Sequence, residues 1–218
     1  VKPFLLFLLA LPAFTAVQSS ETFVDDDRVL VVKVTVPVEH STGMHEHQIN
    51  RVMLYLQEGG QKIIYADGRE VVQKWSAGEP LWSAATGQRH RVELIADQPQ
   101  TIVKVELKQP GPANPPELGP LDPLQVDPVH YRVVFENDQV RVVHVEIGSG
   151  EAAPMHEHLR ARAVAYLTDA HFEATLEDGS TTVSRQKAGD VVWSDSVTRH
   201  REVNRGTNVF KGVVVELK

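Results

Sequence analysis

Along the chain, apolar and polar positions alternate in short runs, and no apolar stripe of helical period extends far enough to make a helix. Runs at 29–36 (VLVVKVTV), 51–56 (RVMLYL), 62–66 (KIIYA), 70–75 (EVVQKW) and 101–107 (TIVKVEL) are rich in β-branched residues and bounded by turn formers, so they predict strands. Tyr65-Ala66-Asp67-Gly68-Arg69 and Leu176-Glu177-Asp178-Gly179-Ser180 predict hairpins in which Asp-Gly supplies the positive φ angles of a tight turn. About 90 residues of such strands would leave long exposed edges unless the sheet closed on itself, which points to an all-β roll or barrel.

The pattern is written twice. Met44-His45-Glu46-His47 returns as Met155-His156-Glu157-His158, an offset of 111 residues, and Arg51, Tyr55, Asp67-Gly68, Gly78 and Trp82 recur at that offset as Arg162, Tyr166, Asp178-Gly179, Gly189 and Trp193. After one residue of slippage Arg89-His90-Arg91 matches Arg199-His200-Arg201, and Glu106-Leu107-Lys108 matches Glu216-Leu217-Lys218. Between the copies, residues 109–128 are rich in proline, which lacks a backbone donor and favours extended geometry, and they read as a linker. The expected organisation is a segment 1–19, a first domain 22–108, the linker, and a second domain 129–218.

The first segment changes the picture of location. Lys2, an apolar run from Phe4 to Leu11 and small residues before an acidic patch have the layout of a signal peptide, with cleavage after Ala16 or after Ser19. The run is too short to span a membrane, which takes about 20 apolar residues, so the expectation is a periplasmic or secreted protein without stable membrane insertion. A buried N-terminal strand or helix is the competing reading. With no cysteine, such a chain is held by packing and metal rather than disulfides, and a thiol nucleophile or ligand is excluded. A net charge of −7 without a cluster of Lys or Arg argues against nucleic acid as a partner and leaves a small molecule as the default ligand.

Histidine supplies the candidate chemistry. On a strand, His45 and His47 point to one face, as do His156 and His158, and His90 and His200 lie far enough along the chain for another strand to bring back a third nitrogen. Three neutral imidazoles suit Fe, Mn, Ni, Cu or Zn and leave coordination positions open. An internal polar cluster of hydrogen-bonded histidines is the plainer alternative. Arg51 and Arg162 share the parity of the histidine pairs, so both are expected to face the cavity and bind a ligand there, or to form a salt bridge with Glu93, Glu202 or Asp195. Trp75, Trp82 and Trp193 are expected in the core, as by default are Tyr55 and Tyr166, and His40, His130, His144 and His171 as surface or internally satisfied histidines.

These motifs resemble the cupin superfamily, whose first motif is a glycine, then His-x-His, then usually a glutamate, and whose second ends in a histidine and an asparagine. In the second copy Gly150, His156, His158, Gly189, His200 and Asn204 match; in the first, Gly78, Gly87 and His90 match. Where the family has its glutamate, this sequence has Arg51 or Val52 and Arg162 or Ala163; the second motif's proline is replaced by Ala84 and Asp195, and Leu94 stands where Asn204 does. The resemblance implies two tandem jelly-roll barrels related by internal duplication, a bicupin of bacterial type, paired within one chain and open to homo-oligomer formation. Three-histidine cupins resembling thiol dioxygenases also lack the glutamate and use an arginine for the substrate's carboxylate. Two functions are therefore expected to compete: a metal-dependent oxygenase or isomerase of a small carboxylate, and a non-catalytic ligand-binding or structural bicupin. No residue announces itself as catalytic.

Overall fold

The structure is a computed structural model that describes residues 18–115 and 117–218. The expected signal segment therefore lies almost wholly outside the described residues, although Ser19 already begins the first strand. Among the described residues no helix is long and apolar enough to cross a membrane.

The first half is built from β1 (Ser19–Asp25), β2 (Val29–Val36), β3 (Asn50–Tyr55), β4 (Gly59–Tyr65), β5 (Glu70–Trp75), β6 (Pro80–Ser83), β7 (His90–Ile95) and β8 (Gln100–Leu107). A one-turn helix α1 (Pro123–Val126) leads into β9 (Tyr131–Glu136), β10 (Val140–Ile147), β11 (Ala152–His158), β12 (Arg162–Tyr166), β13 (Ala170–Leu176), β14 (Thr181–Gln186), β15 (Val191–Ser194), β16 (Thr198–Asn204) and β17 (Phe210–Leu217). Each half pairs a five-stranded antiparallel sheet, β1-β2-β8-β3-β6 or β15-β12-β17-β10-β9, with a smaller one, β5-β4-β7 or β11-β16-β13-β14.

Duplication is visible in the register as well as the order. Arg51 pairs with Glu106 across β3 and β8, and Arg162 with Glu216 across β12 and β17. His45 bridges His90 as His156 pairs with His200. The two hairpins turn as expected at Gly68 and Gly179, but only the glycines carry positive φ, at 88° and 82°. The preceding Asp therefore stays right-handed, and the turn is a three-residue loop closed by a left-handed glycine rather than a two-residue Asp-Gly turn.

Strand alternation sorts each five-stranded sheet into two apolar faces. Val52, Leu54, Val103 and Val105 join Val140, Val142, Ala163 and Val213 in one core shared by both halves. The other faces close separate cores, around Val34, Tyr55, Trp75 and Ile102 in the first half and around Ile147, Phe172, Phe210 and Val214 in the second. Pairing within the chain is thus through sheet faces rather than edges, with Trp82 meeting Phe135 edge-on and Arg28 bonded to Asp195 at 2.8 Å. Trp82 and Trp193 pack against the shared core while Trp75 stacks on Tyr55, as expected of core aromatics.

Gly78 marks how closely the halves approach. Its φ is +76°, and a Cβ there would lie 2.6 Å from Leu167 Cδ1 of the other half. Gly78→Ala combines a left-handed L-residue with overpacking and is expected to lower stability by about 2–4 kcal/mol, read as a downward shift in the urea midpoint with an unchanged slope.

Candidate metal centres and ligand cavity

The three histidines of each half converge. In both clusters the ligand atoms lie within 4.8 Å of one another, which is compatible with a single divalent cation in each half. Ring centroids are 4.6–5.2 Å apart for His45, His47 and His90, and 4.5–5.6 Å for His156, His158 and His200.

The routes to that geometry differ. His156 and His158 sit on β11, which pairs with β16 and is bulged between Ala153 and His156, where Pro154 offers no donor to the ladder. His45 and His47 are not on a regular strand. Their segment is held to β7 by isolated bridges at Ser41–Glu93 and His45–His90 and by the bond from Leu94 N to His40 O. The convergence expected from strand alternation is thus reached in the first half without a strand.

The second centre is the more enclosed. His156 and His158 are buried and His200 is half-buried, and a cavity between His158 and Pro123, Leu124, Tyr131, Arg141 and Glu216 measures about 10 Å³. That volume holds about one water. Helix α1 thus packs beside His158, anchored where Arg141 forks onto Asp122 at 2.7 and 3.1 Å and bonds Glu216 at 2.6 Å.

The donor set of this second centre fits a cation. His156 Nδ1 donates to Pro154 O at 2.8 Å, leaving a lone pair on Nε2. His158 Nδ1 faces Glu216 at 4.0 Å, too long for a hydrogen bond but near enough to favour the N–H on that side. Two Nε2 lone pairs then meet at 3.1 Å, an arrangement that a shared cation relieves. Burial, then His158 and His200, pushes the His156 imidazole down to about 4, so it is neutral and ligand-competent at neutral pH.

Two further groups stand here: Glu202, expected only as a salt-bridge partner of an arginine, and Tyr131, which was not expected at the site. Glu202 lies two residues past His200 on β16, its carboxylate 3.7 Å from His200 Nε2 and 3.1 Å from the Tyr131 hydroxyl, which is itself 3.3 Å from His156 Nε2. Burial raises the Glu202 carboxyl, but His200, His156 and Tyr131 together hold it below its ordinary value, so it is an anion beside the histidines. The His200-x-Glu202 spacing was the available signal, because strand alternation puts both on one face. Nothing in the sequence marked Tyr131.

The first centre is open and cationic. A cavity of about 320 Å³ holds His45, His47 and His90 together with Arg51, Tyr55, Tyr65, Lys104 and an apolar wall of Met53, Ile63, Leu81, Trp82 and Ile102. It has no carboxylate in its lining, since Val92 occupies the place of Glu202. His45 and His90 donate from Nδ1 to Gly43 O and Gln88 O, both at 2.8 Å, leaving Nε2 free. His47 differs in that its Nδ1 is in contact with the Arg51 guanidinium. Burial and then Arg51 push that imidazole down to about 3. Burial likewise lowers the Lys104 ammonium, with Glu106 opposing.

The two arginines have unlike surroundings. Arg162 is held by Arg160 O, Ser196 O and Thr198 Oγ1. Among the described residues Arg51 bonds only His47 and Ser83 Oγ, at 3.3 Å to the latter, and its buried Nε has no partner. None of the three carboxylates expected as salt-bridge partners serves: Glu93 pairs with Arg91, Asp195 with Arg28, and Glu202 faces His200. Of the unpaired histidines, His40 lines the first cavity and His130 is satisfied by Asp127 and Glu151.

No family model matches the chain, and no curated protein is similar to it. Solved structures are. AerE from Microcystis aeruginosa superposes with a TM-score of 0.68 at 13% identity, covering 94% of this chain and 95% of that one. A cupin 2 conserved barrel domain protein from Leptotrichia buccalis gives 0.60 at 15%, covering 95% and 92%. Bacillus subtilis oxalate decarboxylase, studied for its Mn(II) centres, gives 0.58 at 10%, covering 91% of this chain and 72% of that one. At these identities the likeness is one of fold: a duplicated, cupin-like β architecture.

Proposed function

We propose that this protein is an exported bicupin whose two halves divide the work, the second holding a divalent metal in the more enclosed centre and the first binding a small carboxylate beside an exchangeable metal. The observation that carries the reading is the first cavity: three imidazoles, a buried guanidinium and an ammonium, with no carboxylate in the lining. A metal bound there supplies polarisation of an oxygen or activation of dioxygen. The chain's own residues do the rest. Arg51 has the fork that matches a carboxylate, Lys104 adds a second positive charge, and the Met53, Leu81 and Ile102 wall takes a short apolar remainder.

This lining favours an oxygenase over an isomerase. An isomerase needs a side chain to take and return a proton, and without a carboxylate the candidates are His40, Tyr65 and Lys104. A non-catalytic ligand binder is the second reading, favoured by the lack of a carboxylate base in the lining.

Calorimetric titration with acetate, propionate and succinate tests the site. Wild type is expected to bind at least one of them, and Arg51→Met to weaken it about 10–100-fold, the loss of a charge-assisted bidentate contact. Equal binding by both proteins, or none by wild type, overturns the reading. Oxygen consumption with the bound acid and reconstituted metal then separates enzyme from binder.

A further inference from the structure

Arg51 is 7% exposed and, among the described residues, carries no carboxylate hydrogen bond, leaves its Nε unpartnered, and gives its best contact to a histidine. Arginine has only donors, so that contact requires a bare His47 Nδ1. A neutral ring with bare Nδ1 carries its proton on Nε2. His45 and His90 are the other tautomer, with Nε2 lone pairs available. In this arrangement the first centre has two imidazole ligands ready and a third whose remaining nitrogen presents a proton. In the second half no guanidinium of the described residues hydrogen-bonds the corresponding ring: His158 Nδ1 faces the Glu216 carboxylate, and the matching Arg162 is tied to carbonyls and a hydroxyl.

We propose that metal and carboxylate bind the first centre cooperatively, with Arg51 as the coupling residue. A carboxylate entering the cavity draws the guanidinium from His47; the His47 ring loses its Nε2 proton to solvent and takes one at Nδ1, with no net change in protonation, and Nε2 becomes the third ligand. The second centre, with the Glu202 carboxylate beside it, needs no added acid to hold its metal. The inference rests on the reading of the first cavity as a carboxylate site and adds its regulation: the metal is gripped by three imidazoles only while the acid is present. Arg51 is a positioning residue for the metal as well as a contact for the ligand.

The test uses the full chain with His156→Ala to silence the second centre, and in parallel the weaker of the two equivalents in wild type, which needs no second-site substitution. Co(II) and Cu(II) are titrated with and without acetate, propionate and succinate, against chloride at matched ionic strength. At least one acid is expected to tighten first-centre metal about 10-fold, with a reciprocal gain in acid affinity in the presence of metal. Pulsed EPR of the copper form is expected to count two imidazoles without the acid and three with it. Arg51→Met is expected to bind metal tightly with three imidazoles whether or not the acid is present. Wild-type metal affinity and imidazole count that ignore every acid overturn the coupling alone. Failure of Arg51→Met and wild type to bind first-centre metal under any condition overturns the proposed function itself.

Discussion

Arg141→Met is expected to cost about 3–5 kcal/mol of stability, because it strands two buried carboxylates that a single guanidinium now neutralises. Arg141 and both partners are about 95% buried, and the three contacts of 2.6–3.1 Å tie β10, β17 and the turn before α1 into one unit. Arg160 and His158, each 4.0 Å from Glu216, remain nearby, but neither makes a hydrogen bond to it. Urea unfolding of the two proteins measures the difference; a loss under about 1 kcal/mol would mean that the network contributes little net stability.

The same network sets an acid limit. Burial by itself would raise the Glu216 carboxyl, but His158 and Arg141 outweigh it and hold it at about 2. A carboxyl depressed in the folded state stabilises the protein above its unfolded value, near 4.5, and that stability is lost as pH falls toward 2. Wild type is expected to lose roughly 3 kcal/mol more than Glu216→Gln between pH 5 and pH 2, measured by denaturant unfolding at each pH.

The second large effect belongs to the metal. At about 1,000 times its Kd, a divalent cation that binds only the folded protein adds about 4 kcal/mol, which for a chain of this size is a rise in Tm of about 8–16 °C. The rise is expected to vanish in His156→Ala and to survive in His45→Ala, because the paired Nε2 lone pairs and the neighbouring Glu202 belong to the second centre. Thermal unfolding with Zn(II) or Mn(II), against a chelator-treated control, decides it. Equal rises in both variants would make the two centres alike.

The strands and both histidine clusters were legible in the sequence because they rest on local rules. Val-rich alternation fixed the positions of β2 and β5 to the residue, and the recurrence of Met-His-Glu-His marked the duplication. The difference between the centres was not legible. The second copy keeps the fuller motif, whereas the open cavity lies in the first. What packs beside His158 in the second is α1, a single turn inside a proline-rich stretch, tied through Asp122 to Arg141 nearly twenty residues away along the chain. Likewise the spacing of Arg51 and Arg162 is the same, and only the structure shows one guanidinium sated by carbonyls and the other resting on an imidazole. Such distinctions depend on which side chains long-range packing brings together, and periodicity carries no record of that.

Two unlike three-histidine clusters should differ in how they hold metal, which elemental analysis can read on protein reconstituted with Mn(II) or Zn(II) and dialysed into carboxylate-free buffer without chelator. Close to one equivalent is expected in wild type, retained in His45→Ala and lost in His156→Ala, with a second equivalent only at higher free metal. No metal after reconstitution, or loss of the retained equivalent in His45→Ala rather than in His156→Ala, would contradict it.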